Sequence, residues 1–125
     1  MSELVECPFC DAIGIASPVL SNRLAVAFLD SYPVTPGHLL VIPRRHATWR
    51  CVSNEERDAM LSLVGERCLT GSADGYNVGV NMGSAAGQTI EHAHVHVIPR
   101  RHGDVDDPSG GIRGVIPGKA DWRAR

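Results

Sequence analysis

The sequence predicts an α+β fold: an antiparallel sheet of about five strands with one main helix packed against it. Three observations lead there. Short apolar runs, bounded by Pro, Gly, Asn and Asp, flank both sides of one longer segment, residues 54–70. Only that segment combines a helical period with end signals. The last run, residues 92–98 (His-Ala-His-Val-His-Val-Ile), alternates histidine with small or β-branched apolar residues, the period of an extended strand.

Taken in order, residues 18–20 and 23–29 read as two strands around a tight turn at Ser21-Asn22. The run Leu24-Ala25-Val26-Ala27-Phe28-Leu29 is apolar throughout, so burial on both faces is expected. Asp30-Ser31-Tyr32-Pro33 and Thr35-Pro36-Gly37 form a loop, because the prolines and the glycine interrupt regular structure. Residues 38–43 are the next strand. Ser53 then stands three residues before Glu56, a capping-box spacing. The helix runs over 54–70 with Met60, Leu61, Val64 and Cys68 on its core face, and Gly71 stops it. Residues 76–81 are a strand, 82–89 a glycine-bearing loop and 92–98 the last core strand. The segment between Cys10 and the first strand is short, so any helix there is brief. From Gly103 on, the chain is rich in Gly, Pro and Asp and should run over the surface. Val41-Ile42-Pro43-Arg44-Arg45-His46 recurs as Val97-Ile98-Pro99-Arg100-Arg101-His102. The echo reads as two similar strand exits, each ended by a proline that cannot continue a ladder.

The 125 residues are read as one domain, 1–125, with a core over about 7–101 and a surface tail over 102–125. Apolar content of 43% and charged content of 21% are ordinary for a soluble globular chain. A net charge of −2 argues against broad binding to nucleic acid or an anionic membrane. No apolar run approaches the ~20 residues that span a bilayer. Met-Ser-Glu-Leu-Val-Glu lacks the basic-then-apolar order of a signal peptide, so a cytoplasmic location is expected. In a reducing compartment Cys7-Pro-Phe-Cys10 reads better as half of a metal site than as a disulfide partner. Cys51 and Cys68 read as small apolar residues. Arg44, Arg45, Arg100 and Arg101 read as solvated strand-end charges, His102 as an exposed loop residue, and Trp49 and Trp122 as packing or interface residues.

In a strand, His92, His94 and His96 share one face while Ala93, Val95 and Val97 face the core. Imidazole is both nucleophilic and half-titrated near neutral pH. Such a row suits metal ligation or catalysis on an anionic substrate. Just upstream, Asn81-Met82-Gly83-Ser84-Ala85-Ala86-Gly87-Gln88-Thr89 offers glycine amides and Asn, Gln and Thr donors. A loop of that kind leading into a histidine strand fits an oxyanion cradle beside a nucleophile.

Pro36-Gly37-His38, Ala86-Gly87-Gln88-Thr89 and His92-Ala93-His94-Val95-His96-Val97-Ile98 resemble the histidine triad (HIT) family of nucleotide hydrolases and transferases. The resemblance covers residues from about Cys7 to Arg101 and is nearest to the branch that cleaves dinucleoside polyphosphates. It implies a HIT-like sheet and a homodimer. It also implies attack by His94 on the α-phosphorus of a nucleotide, through a covalent nucleotidyl-histidine that water resolves. By the same resemblance His96 contacts the phosphate and helps the leaving group, and His38 braces the triad. Gln88 orients α-phosphate oxygens with Asn81 and Thr89, Asp30 holds the ribose hydroxyls, and residues 24–29 give part of the wall around the base. Cys7 and Cys10 have the spacing of one edge of a tetrahedral zinc site. Similarity to zinc-carrying members adds His46 and His92, which makes the zinc structural. Three other readings stand beside the polyphosphate one. They are an adenosine phosphoramidase or aminoacyl-adenylate hydrolase, a nucleotide-binding regulatory protein with slow turnover, and a metal hydrolase with all three histidines on one zinc.

Overall fold

In the computed structural model, which describes residues 7–123, the apolar runs form one antiparallel sheet. The acidic stretch 1–6, on which the signal-peptide argument rests, lies outside the described residues. Strands β1 (Leu20–Ser21), β2 (Ala25–Leu29), β3 (Leu39–Pro43), β4 (Gly75–Gly79) and β5 (Val95–Arg100) stand in the order β1-β2-β3-β5-β4. Helix α1 (Pro8–Ile15) precedes the sheet, and α2 (Asn54–Thr70) joins β3 to β4. The α+β fold is the one the sequence predicts.

Alternation divides the strands between two faces. Ala25, Ala27, Leu39, Val41, Val95 and Val97 face α2 and pack on Met60, Leu63 and Val64. Val26, Phe28 and Ile42 face the other way and meet Phe9, Ala12 and Ile13 of α1. Leu40 is opposite His96 in β5, which is opposite Gly79 in β4. The second face therefore carries the histidines, with α1 lying over it.

Local chemistry explains the element ends. Asn22 turns the first hairpin: its Oδ1 accepts from the amides of Leu24 (3.1 Å) and Ala25 (2.8 Å), and its Nδ2 donates to Ala59 O of α2 at 2.9 Å. The capping box forms as expected, with Glu56 N–H donating to Ser53 Oγ (3.0 Å) and Ser53 N–H donating to Glu56 Oε1 (2.9 Å). Glu56 is buried and also takes a two-pronged bond from Arg45, Nε to Oε2 at 3.1 Å and Nη2 to Oε1 at 2.7 Å. Those bonds, with the Ser53 amide, hold its carboxyl down to about 2 against the partial opposition of burial.

Several expectations change. Leu61 is 62% exposed and Leu63 is buried in its place; Leu61 sits about 100° round the helix from Met60, outside the buried stripe. Leu29 is 61% exposed, so the 24–29 run is not buried to its end. β5 begins at Val95 rather than His92. Pairing with β3 ends at Val41 opposite Val95; beyond that, Ala93 N–H bonds to Ala47 O at 2.8 Å and the ring of His92 takes Pro43 O at 2.8 Å. Nor does Pro99 end the strand. Its carbonyl accepts from Thr35 Oγ1 at 2.8 Å, so its donor-free backbone edge faces the 35–37 loop and not β4. The strand-end arginines are bonded, not merely solvated. Arg45 holds Glu56, Arg100 holds Asp104 and Asn77, Arg101 reaches Pro36 O and Arg44 reaches Asn22 O. Cys51 is exposed, while Cys68 packs against the core edge. The tail follows the surface, and its 3-10 turn Gly111–Val115 sets Ile112 beside Gly79 of β4. No helix among the described residues is long and apolar enough to cross a membrane.

Candidate functional site

A cavity of about 430 Å³ opens on the histidine face. His94, His96 and His38 line it, as do Asp30, Asn81 and Thr89. Its apolar wall comes from Phe28 and Leu29 of β2, Leu40 and Ile42 of β3, and Phe9 and Ala12 of α1. The volume suits a small organic ligand.

What each ring nitrogen meets decides the protonation pattern. A carbonyl only accepts, so His94 Nδ1, 2.7 Å from His92 O, carries the proton. His94 Nε2 is then the free, unprotonated nitrogen, the form a nucleophile needs. His38 Nδ1 accepts from Val34 N–H at 3.2 Å, which puts its proton on Nε2. That nitrogen stands 2.9 Å from His96 Nδ1 and donates to it, so His96 is left with Nε2–H. Asp30 Oδ2 lies 3.5 Å from His38 Nε2, and Asp30 Oδ1 accepts from Tyr32 N–H at 2.8 Å. Burial lowers His38 below the usual imidazole range, with Asp30 opposing. His96 is lowered as well, by burial first and then by His94 and His38. The pair is thus a neutral, hydrogen-bonded unit at pH 7.

Gln88 is placed otherwise than the sequence suggests. Its Oε1 accepts from Gly83 N–H at 2.8 Å and its Nε2 donates to Ile90 O at 2.9 Å. It borders a separate hollow with Trp49, Arg50 and Glu91. In this geometry Gln88 ties the loop together from behind, while Gly87 and Thr89 present the loop to the cavity. Gly83 and Gly87 adopt φ of 88° and 92°, a conformation open to glycine, and so let the loop double back.

Four other side chains converge at one end of the triad. The ligand atoms of Cys7, Cys10, His46 and His92 all lie within 4.8 Å of one another. His92 Nε2–H donates to Pro43 O, which turns the lone pair of Nδ1 toward both sulfurs at 3.5 Å. His46 Nδ1 is 3.1 Å from Cys10 Sγ. Burial and the neighbouring Cys7 push the Cys10 thiol up to about 11, so this thiol keeps its proton until a cation displaces it. Two thiols and two correctly turned imidazoles form a site that fits a metal ion.

Phe9, Val34 and Tyr32 were not singled out in the sequence. Val34 acts through its backbone amide, which carries no side-chain signal. Phe9 had one signal, its position between the two cysteines.

A family model described as the HIT domain matches residues 16–103. The chain belongs to the HIT-domain family. Among curated relatives of this HIT protein, adenylylsulfatase HINT3 of Arabidopsis thaliana is 38% identical over 108 residues, 79% of this chain and 54% of that one. An AP-4-A phosphorylase of Mycobacterium tuberculosis is 35% identical over 94 residues, 70% of this chain and 48% of that one. Other relatives of similar identity, in Mycoplasma genitalium for example, are described only as HIT-like. Among solved structures, a zinc-bound histidine triad family protein from Mycobacterium smegmatis superposes with a TM-score of 0.69 and 36% identity, covering 78% of this chain and 77% of that one.

Proposed function

We propose that this HIT protein cleaves at the α-phosphate of a dinucleoside polyphosphate or related purine nucleotide. The observation that carries the reading is His94, with its Nδ1 proton held by the His92 carbonyl in a cavity shared with His96, Asn81 and Thr89. The Nε2 lone pair attacks the α-phosphorus, and the bond to the bridging oxygen breaks with its electrons going to the leaving group. The ring then carries phosphorus on Nε2 and a proton on Nδ1, a positive charge that keeps it a good leaving group. Water attacks phosphorus and gives up a proton to solvent, the P–N bond breaks with its electrons going to nitrogen, and His94 Nε2 regains its lone pair. His96 Nε2–H steadies phosphate oxygens, with Thr89 and Asn81 as further donors. Asp30 serves the ribose hydroxyls. Gln88 assists through the loop it ties.

The neutral His38–His96 pair favours a leaving group that departs as an anion, such as a nucleoside polyphosphate, over an amine that must be protonated as it leaves. The name AP-4-A phosphorylase on one relative accords with that choice. A second reading rests on the adenylylsulfatase relative: an adenylate whose leaving group is another strong-acid anion. Zinc is the metal we assign to Cys7, Cys10, His46 and His92, because two thiolates and two imidazoles suit it. When bound it supplies structural closure and no redox chemistry. Its presence there takes His92 out of catalysis and argues against three histidines on one catalytic metal. We further assign a homodimer, for which β4 offers a sheet edge, and a cytoplasmic location, which suits four cysteines outside any disulfide.

The test is turnover on a panel of dinucleoside polyphosphates, adenosine phosphoramidates and adenylylsulfate with one preparation. Cleavage of the polyphosphates is expected to be fastest. His94→Asn should abolish turnover while nucleotide binding stays within about tenfold, because the cavity survives. Retention of more than a few per cent of activity in that variant would move the nucleophile elsewhere.

A further inference from the structure

We propose that the metal centre and the nucleotide cavity form one coupled unit joined through Phe9, so that metal and nucleotide each tighten the other's binding. The proposal rests on the nucleotide reading above and adds a role for the metal toward the nucleophile.

Phe9 stands inside the chelating loop, between Cys7 and Cys10. Its ring lies edge-on to His94, with centroids 4.9 Å apart and planes at 71°, and to His92 at 5.9 Å and 71°. Together with Pro8 and Ala12 of the same helix, it lines the cavity. One residue thus touches a metal ligand, the nucleophile and the ligand space.

Among the described residues, little else holds this wall in place. None of the eight residues of α1 is fully buried, and only Phe9, Ala12 and Ile13 pack on the sheet, against Val26, Phe28 and Ile42. A helix of two turns is not stable by itself. Its N-terminus is where the fastening lies: Cys7 caps the helix, with Sγ accepting from Cys10 N–H at 3.4 Å, and both sulfurs face His46 and His92. A cation shared by these four would pin the first turn of α1 to the end of β3 and to the triad.

His92 provides a second route. Its ring is set by Pro43 O on one side and by the sulfurs on the other, and its carbonyl holds the Nδ1 proton of His94. Fixing that ring therefore fixes the acceptor that orients the nucleophile. Without the cation, α1 is free to lift and the wall carrying Phe9 goes with it. Phe9 is a positioning residue: it acts on the reaction through His94 and through the shape of the cavity. Because binding free energies are reciprocal, what the metal does for the nucleotide the nucleotide must do for the metal.

The experiment follows zinc release rather than activity. The full chain, loaded with zinc, is challenged with a chromophoric chelator in the presence and absence of saturating AMP, and AMP binding is measured by calorimetry on loaded and stripped protein. AMP should slow zinc release about tenfold, and stripping should weaken AMP about tenfold, both inside the common range for coupled sites. Phe9→Leu should keep one zinc per chain and the wild-type melting temperature, while the slowing by AMP falls to about threefold or less, the remainder carried through His92. If Phe9→Leu lost zinc or melted early, the wild-type measurements would still decide. A protein that binds AMP but releases zinc at an unchanged rate overturns the coupling and leaves the nucleotide reading intact. A protein that binds no AMP overturns both. A chain that takes up no zinc, or a Phe9→Leu variant that folds and keeps the full slowing, overturns the proposal as well.

Discussion

Glu56 offers the sharpest quantitative test of how the site's scaffold is held. Its carboxylate closes the capping box of α2 and grips Arg45, whose chain neighbour His46 belongs to the candidate metal site. Glu56→Gln keeps the volume and an acceptor for Ser53 N–H but removes the charge. A carboxyl lowered from 4.5 to about 2 would carry at most ~3 kcal/mol of charge-dependent stability. The Arg45 side chain is 54% exposed, so solvent screening reduces this to ~1–2 kcal/mol. A melting temperature lower by roughly 5 °C at pH 7 is expected. The folded carboxyl is more acidic than the unfolded one. Its contribution is therefore complete above about pH 5 and declines as pH falls toward about 2, with more than half gone near pH 3. Urea unfolding of both proteins across pH 3–7 reads the difference directly. A difference that stays constant across that range would show that packing, not charge, makes Glu56 matter. No difference at pH 7 would refute the reasoning outright.

Three further outcomes are expected. Gln88→Ala should raise KM and lower kcat together, because untying Gly83 from Ile90 loosens the loop that carries Gly87 and Thr89; a fall in kcat alone would instead make Gln88 a donor that follows the phosphate into the transition state. The kcat/KM profile should show an acid limb below pH 6.5, since burial lowers both His38 and His96, and protonating His96 on Nδ1 breaks its bond from His38 while protonating His38 on Nδ1 displaces Val34 N–H; a limb above 6.5 would contradict the neutral pair. Stability moves in the same direction, because unfolded imidazoles take up protons that the buried ones resist. Cys7→Ala should lower zinc content by metal analysis and the melting temperature by calorimetry, because binding energy at a structural metal is partly folding energy.

The helix, read from about 54 to about 70, was legible because its signals are local: Ser53 and Glu56 bond each other across three positions, and Gly71 follows. What misled was non-local. Leu61 and Leu63 are equally apolar, and only the stripe set by contact with β2 and β3 chooses between them. The start of β5 depends on where its pairing with β3 ends, and on His92 taking Pro43 O with its ring. Gln88 in a glycine loop can bond a ligand or its own backbone, and sequence does not distinguish the two. Phe9 lay between two residues already read as ligands, but its contact with His94 exists only once α1 is folded over the sheet.

The same limit explains why three histidines at equal spacing do three different things. Alternation places His92, His94 and His96 on one face, and that much is in the sequence. Chemistry then follows from the second nitrogen of each. In His92 it meets the Pro43 carbonyl and frees Nδ1 for the sulfurs. In His94 it meets the carbonyl of His92, two residues back along the chain, and frees Nε2 for the cavity. In His96 it meets another imidazole, His38, whose own tautomer is set by the backbone amide of Val34. The partners come from β3 and from the 30–38 loop, elements distant in sequence that strand pairing brings to the triad. Shifting β3 against β5 by two residues would keep every side chain on its face and every motif intact. It would also carry Pro43 and His38 about 7 Å from their imidazoles. The function is written in the register of β3 on β5 as much as in the histidines.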